Sequence, residues 1–257
     1  MTRVGLLLLV GCLSGCAFST AGDGPPARDK RIPNADATPR PEPRSASGNP
    51  PFYEVYGIRY YVMQDAADYR ERGVASWYGK KFHGRPTSSG EPFDMHAVSA
   101  AHKTLPLPTW VRVTHLGNGR SIVLRVNDRG PFVDNRLIDL SYAAARELDL
   151  VEAGTGLVEV EAIRFDAPNV SADSERVPVA LLYMQVGAFG DLTNATRLRD
   201  RVRATVAQDV FIASDESRRQ PIHRVRVGPI ASVTDFDRIS DQLRALGIDE
   251  VRLVNDD

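Results

Sequence analysis

Gly73-Val-Ala-Ser-Trp-Tyr-Gly79 opens a stretch that runs through Thr87-Ser-Ser-Gly-Glu-Pro-Phe93 and His102 to Val126-Asn-Asp-Arg-Gly-Pro-Phe132 and closes at Asp139. Acidic, imidazole and aromatic side chains sit here on Gly- and Pro-punctuated segments between short apolar runs, the pattern of a small β scaffold that displays a polar site on its loops. Val74 to Tyr78, Trp110 to His115 and Ser121 to Asn127 read as strands. The last two flank Leu116-Gly-Asn-Gly119, whose Asn-Gly is a hairpin signal. Ser141 is placed to cap a short helix over Tyr142 to Leu148, and Val158 to Ile163 alternates as a closing strand. Many short strands with a single helix predict a compact barrel. Ahead of it, Pro51-Phe-Tyr-Glu-Val-Tyr56 and Tyr60-Tyr-Val62 form an aromatic lead-in expected to pack on the barrel.

Working outward, the 257 residues divide by composition. Arg3 followed by an apolar run from Val4 to Leu13 is too short to span a bilayer permanently and reads as a secretory signal over residues 1–16. It closes with Leu13-Ser-Gly-Cys16, a pattern similar to a bacterial lipobox, which predicts lipidation of Cys16 and attachment to a membrane. The alternative is ordinary cleavage near Ala17. With Cys16 lipidated the mature chain has no other cysteine, so neither a disulfide nor a thiolate metal site is expected. Residues 17–50 are rich in Pro, Ala, Gly and Ser and predict a flexible tether. A polar linker is expected at 166–177, leaving two folded regions, 51–165 and 178–257. A formal net charge of −1, with basic and acidic residues interspersed, argues against nucleic acid as a partner.

The second region carries an internal repeat. Val186-Gly-Ala-Phe189 and Val227-Gly-Pro-Ile230 are offset by 41 residues, and the same offset pairs Leu198 with Ile239 and Val202 with Leu243. Each half reads strand, helix, strand, so the whole is βαββαβ, a four-stranded antiparallel sheet with both helices on one face. Leu192, Ala195, Leu198 and Val202 give the first helix its apolar stripe. Phe236, Ile239, Leu243 and Leu246 give the second, with Gly247 as its stop. Strand alternation puts Leu182, Met184, Val186, Val225 and Val227 under the helices. Tyr183, Gln185, Ile222, Arg224 and Arg226 then fall on the open face.

The motifs Trp77-Tyr-Gly79, Ser89-Gly-Glu91 and Asn127-Asp-Arg-Gly-Pro131 resemble the double-psi β-barrel of the rare lipoprotein A family of septal-ring lytic transglycosylases. Tyr183-Met-Gln-Val-Gly-Ala-Phe189 and His223-Arg-Val-Arg-Val-Gly-Pro229 resemble the sporulation-related repeat (SPOR) domain. The resemblance implies a mainly β plus α+β chain, a double-psi β-barrel followed by a ferredoxin-like SPOR domain. It implies cleavage of peptidoglycan glycan strands without water: the 6-hydroxyl of N-acetylmuramic acid attacks its own anomeric carbon, leaving a 1,6-anhydro end. Peptide-free septal glycan is the implied substrate, and no metal or organic cofactor is implied. Phe18, rather than aspartate, two residues after the cysteine implies sorting to the outer membrane, facing the periplasm. The alternative is a non-catalytic, expansin-like wall-binding lipoprotein.

Such chemistry needs a proton for the departing oxygen and a base for the attacking hydroxyl. The family's functional acids match Asp128 and Glu91, with Asp128 assigned the acid and Glu91 the base or electrostatic stabiliser. The simpler readings are a turn residue for Asp128 and surface exposure for Glu91. His102 matches a family histidine that orients a carboxylate or touches the sugar; it also fits a structural histidine on a loop. Asp139 matches an aspartate of expansin-like barrels and equally fits a helix cap. Trp77, Tyr78 and Phe132 are either sugar platforms or core. Gln185, Arg224, Arg226 and Ile222 are the implied glycan-binding residues. Ile222 stands where many relatives carry an aromatic ring.

Overall fold

The computed structural model describes residues 24–25, 38–165, 181–215, 217 and 220–255. The signal, Cys16 and the 166–177 linker therefore lie outside the described residues, and no described helix is long and apolar enough to cross a membrane. An aromatic hairpin, β1 (Phe52–Val55) and β2 (Ile58–Tyr61), leads into the barrel. The barrel comprises β3 (Arg70–Tyr78), β4 (Ser99–His102), β5 (Thr109–His115), β6 (Ser121–Asp128), β7 (Ile138–Ser141) and β8 (Gly156–Ala162), closed in the order β3-β7-β4-β6-β5-β8. The expected hairpin is β5 with β6, antiparallel from Thr109 opposite Val126 to Thr114 opposite Ser121. Two pairs are parallel, β3 with β7 and β4 with β6, so the chain crosses the barrel between them instead of meandering.

Closure removes every free edge and turns alternate residues into one core. Val111, Val113, Leu124, Val126, Ile138, Leu140 and Val160 are fully buried there, and each such aliphatic side chain contributes about 1.5–3 kcal/mol by leaving water. Helix α1 (Tyr142–Glu147) plugs one end with Ala143, Ala144 and Ala145. Its cap is Ser141, whose hydroxyl accepts from the Ala144 N–H at 3.2 Å, so Asp139 is not the cap.

The expectation of a flexible tether through residue 50 fails for its last third. The Asn49 amide brackets the Leu107 backbone, donating to its carbonyl and accepting from its N–H, both at 2.7 Å. Ser45 N–H also donates to Leu107 O at 2.9 Å. Residues 38–49 thus form a strap laid across the barrel. Composition argued for disorder because the strap buries little apolar surface; its order comes from polar bonds to a strand-flanking loop.

The second region is β9 (Leu182–Phe189), α2 (Leu192–Arg203), β10 (Asp209–Asp215), β11 (Ile222–Gly228), α3 (Val233–Ala245) and β12 (Arg252–Asn255). The sheet order β10-β11-β9-β12, all antiparallel, is the split βαβ arrangement that the repeat predicts. Gly247, at φ +75°, closes α3 while the Ile248 N–H reaches back to Leu243 O at 3.0 Å. Leu192 departs from the expected stripe: it is exposed in the first turn of α2. The regions touch. Val74 and Leu157 of the barrel pack into the core built by Leu182, Met184, Phe236 and Leu243, and Arg136 clasps Asp237 through bonds of 2.9 and 3.1 Å.

Candidate functional site

The end of β6 organises the site. Asp128 is its last residue, and Oδ1 of that carboxyl accepts three bonds: from the Ser88 N–H at 2.8 Å, the Ser88 hydroxyl at 2.7 Å and the Arg129 N–H at 2.7 Å. Oδ2 accepts none of them. The loop that donates is the one that carries Glu91. It is tied to β6 by Ser89 N–H to Asn127 O at 3.2 Å and folded on itself by Thr87 N–H to Glu91 O at 2.7 Å. Gly90 sits at φ +94°, a conformation that a side chain resists, which accounts for glycine in the Ser-Gly-Glu turn.

The two acids that the motifs single out are thus both tied to the last residues of β6, each through its own partners. Glu91 Oε2 accepts from Arg125 Nη1 at 2.7 Å and from the Asn127 amide at 3.0 Å. The hydrogen bond from Arg125 holds its pKa below the ordinary value of 4.5, against a smaller opposing effect of partial burial. Arg125 and Asn127 were not among the expected site residues. Their signal was the two-residue period of β6, which puts them on the same side of the strand.

Asp139 belongs to the same region. Ala101 of β4 pairs with Asp128 on one side and Asp139 on the other, so the two residues' backbones stand two strand spacings apart, about 9–10 Å along the sheet. Asp139 accepts from the Ser76 hydroxyl on β3.

His102 is placed differently from the expectation of direct contact with sugar or carboxylate. It is 2% exposed, and its Nδ1 accepts from the Thr104 and Leu105 N–H groups at 3.2 and 3.1 Å. The proton is thereby on Nε2, which donates to the Tyr69 hydroxyl at 2.8 Å; that hydroxyl in turn donates to Glu71 at 3.1 Å. Burial pushes the imidazole pKa down to about 3. Its link to the acids is indirect. Arg129, next to Asp128, donates to the carbonyls of His102 at 3.2 Å, Leu105 at 2.5 Å and Gly48 at 2.7 Å, and so pins the β4 loop and the strap together. Trp77 and Tyr78 pack inward against Tyr142 and Phe93, whereas Phe132 meets Tyr53 and Tyr60 of the hairpin.

On the second sheet, the open face carries Gln185, Arg224 and Ile222 as expected by alternation. Arg226 is a correction: it is 7% exposed and donates to the Asn255 carbonyl at 3.2 Å, so its guanidinium braces β12. Tyr183 faces that side too but is largely covered, edge-on to Phe211 with ring centroids 5.2 Å apart. Phe211, paired with Arg226 across β10 and β11, supplies an aromatic ring on the face where Ile222 does not. It was missed because the pairing that brings β10 beside β11 is not written in either strand. Arg224 lies 3.8 Å from Asp215. Among the described residues no group of three or more His, Cys, Asp or Glu side chains is arranged to hold a metal ion.

Comparison with known proteins matches residues 70–160 to the family described as "Lytic transglycolase" and residues 180–253 to the SPOR domain. Proteins named endolytic peptidoglycan transglycosylase RlpA are similar along nearly the whole chain. The one from Pseudomonas aeruginosa (strain UCBPP-PA14) is 39% identical over 91% of this chain and 85% of its own length. That from Vibrio cholerae is 37% identical over 95% and 92%. The crystal structure of the RlpA SPOR domain from Pseudomonas aeruginosa is 38% identical over 29% of this chain and 97% of that one, with a TM-score of 0.28.

Proposed function

The chain belongs to the RlpA family of endolytic peptidoglycan transglycosylases, and from that membership we propose that Asp128 and Glu91 are the pair that breaks the glycan strand. The protein is a periplasmic, wall-associated enzyme whose SPOR domain binds peptidoglycan. The observation that carries the assignment is the contrast at the end of β6. Glu91 is kept ionised by Arg125 and Asn127, while Asp128 is held by three donors on Oδ1 alone.

With Oδ1 saturated as an acceptor, the proton of a neutral Asp128 resides on Oδ2 and passes from there to the glycosidic oxygen as the bond to C1 of N-acetylmuramic acid breaks. Positive charge then builds on C1 and the ring oxygen, and the Glu91 carboxylate stabilises it. The 6-hydroxyl of the same sugar closes on C1 and gives its proton to Glu91, which leaves a 1,6-anhydro end and consumes no water. Asp139 and Ser76 extend the polar row. Gln185, Arg224 and Phe211 support a reading of the open SPOR face as the surface that retains glycan stripped of peptide. Lipidation at Cys16, attachment to the outer membrane and enrichment at the septum complete the proposal, on the strength of the lipobox-like Leu13-Ser-Gly-Cys16.

The test is product mass from intact and amidase-treated sacculi. Anhydro-ended glycans released mainly from the amidase-treated material are expected. Reducing ends would point to a hydrolase, and binding without products would point to an expansin-like protein.

A further inference from the structure

We propose that Glu42, on the strap that precedes the barrel, is a positioning residue for the reaction, acting on Glu91 through Arg125. The inference rests on Glu91 being the catalytic base of the proposed function.

Arg125 lies between two carboxylates. Its Nε and Nη2 edge is taken by Glu42, with Nε to Oε1 at 3.1 Å and to Oε2 at 3.2 Å, and Nη2 to Oε2 at 3.0 Å. Only the Nη1 corner reaches Glu91, at 2.7 Å. Glu42 is itself fixed by the Trp110 indole N–H, which donates to Oε1 at 2.8 Å. The Glu42 and Arg125 side chains are 16% and 20% exposed, less than half the 45% of Glu91. The three line a cavity of about 520 Å³ together with Thr38, Arg40 and Trp110.

Two consequences follow from this geometry. A guanidinium fork prefers to grip one carboxylate with two parallel bonds. Glu42 takes that grip, so Glu91 keeps a single bond from Arg125, and Oε1 stays outside the pair. Charge matters equally. Glu42 and Arg125 together are neutral, so the negative charge on Glu91 remains available to a positive sugar ring and to an incoming proton. Without Glu42, the whole charge of Arg125 would bear on Glu91, making it a weaker base and a poorer electrostatic partner. The charged groups around Glu91 are Arg125 from β6, which bonds it, Glu42 from the strap, which acts through Arg125, and Arg40 of the strap, which lines the same cavity; Asn127 adds a neutral donor.

Glu42→Gln is the sharp test, because the amide keeps an acceptor for Trp110 while losing the charge, and residue 42 lies outside both hydrophobic cores. Release of anhydro-ended glycan by the full chain is followed against pH and substrate concentration, with the melting temperature as a folding control. In E42Q, kcat is expected to fall about 3- to 10-fold with KM within about twofold. The acid limb of the profile should move to lower pH by roughly half a unit. Glu42→Asp, which retains the charge, should return the limb towards the wild-type position. A wild-type profile in E42Q overturns the proposal, as does an equal rate loss in E42Q and E42D with an unmoved limb, the signature of a purely structural strap. Glu91→Gln separates the premises: full activity there removes the catalytic reading, whereas an inactive E91Q beside a wild-type-like E42Q removes only the role of Glu42.

Discussion

In the proposed reaction one carboxyl group takes up a proton and the other releases it, and the two candidates at the end of β6 keep different partners. Replacing either by its amide keeps the hydrogen-bonded shape but removes the proton chemistry. Asp128→Asn and Glu91→Gln are therefore each expected to lower anhydro-product release by about 100-fold or more, measured by mass spectrometry of released glycan. Glu91 has a folded pKa below 4.5, so it is ionised across the neutral range. Activity that depends on its base form should be lost only as the pH falls through that depressed value. His102 is buried, so its titration bears on stability. Its folded pKa of about 3 lies below the ordinary 6.5, so the unfolded chain takes up the proton first as the medium is acidified. Stability is intact above pH 6.5 and declines between 6.5 and about 3, by up to several kcal/mol across the window. Melting temperatures at pH 7 and pH 5 check this, and His102→Gln should flatten the dependence.

Among the elements, β9 shows what a repeated Val-Gly pair is for. The register of β11 on β9 slips between Val225 and Arg226, so Gly187 faces α2, where an added methyl would lie 2.7 Å from Leu198 Cδ2. Gly187→Ala should cost about 1–3 kcal/mol of stability by overpacking, read from the denaturation midpoint. The slip also changes the open face. It leaves Gln185 beside the braced Arg226, and it leaves Phe211 and Arg224 as the groups that can meet a sugar ring and its hydroxyls. Arg224→Ala and Phe211→Ala should each weaken co-sedimentation of the full chain with amidase-treated sacculi by about 3- to 10-fold, as expected for one stacked or charge-assisted contact. Unchanged binding in both would move the glycan site off this face.

For the whole molecule, the barrel and the SPOR sheet share a seam of Val74 and Leu157 against the second core, closed by the Arg136–Asp237 clasp. Asp237→Lys sets two cations against each other there and should lower the first calorimetric transition by about 2–4 °C, separating the melting of the two regions. Much of this architecture is legible in the chain. The Asn-Gly turn between β5 and β6, the Ser141 cap and the 41-residue repeat are local signals, because turn conformations, orphan N–H groups and helix stripes are satisfied within a few residues. β4 and β7 are not so marked: Ser-Ala-Ala-His and Ile-Asp-Leu-Ser are too short, and β4 too uniformly buried, to display a period. The sequence by itself marked most of the secondary elements, the repeat of the second region and the motifs that carry Asp128 and Glu91. The tertiary structure alone decided that Arg125 and Glu42 set the state of Glu91, that His102 lies inside, and that a Pro- and Ser-rich strap is ordered. Each of these depends on a hydrogen bond or a desolvation between residues dozens of positions apart, and such energies exist only once the barrel has closed.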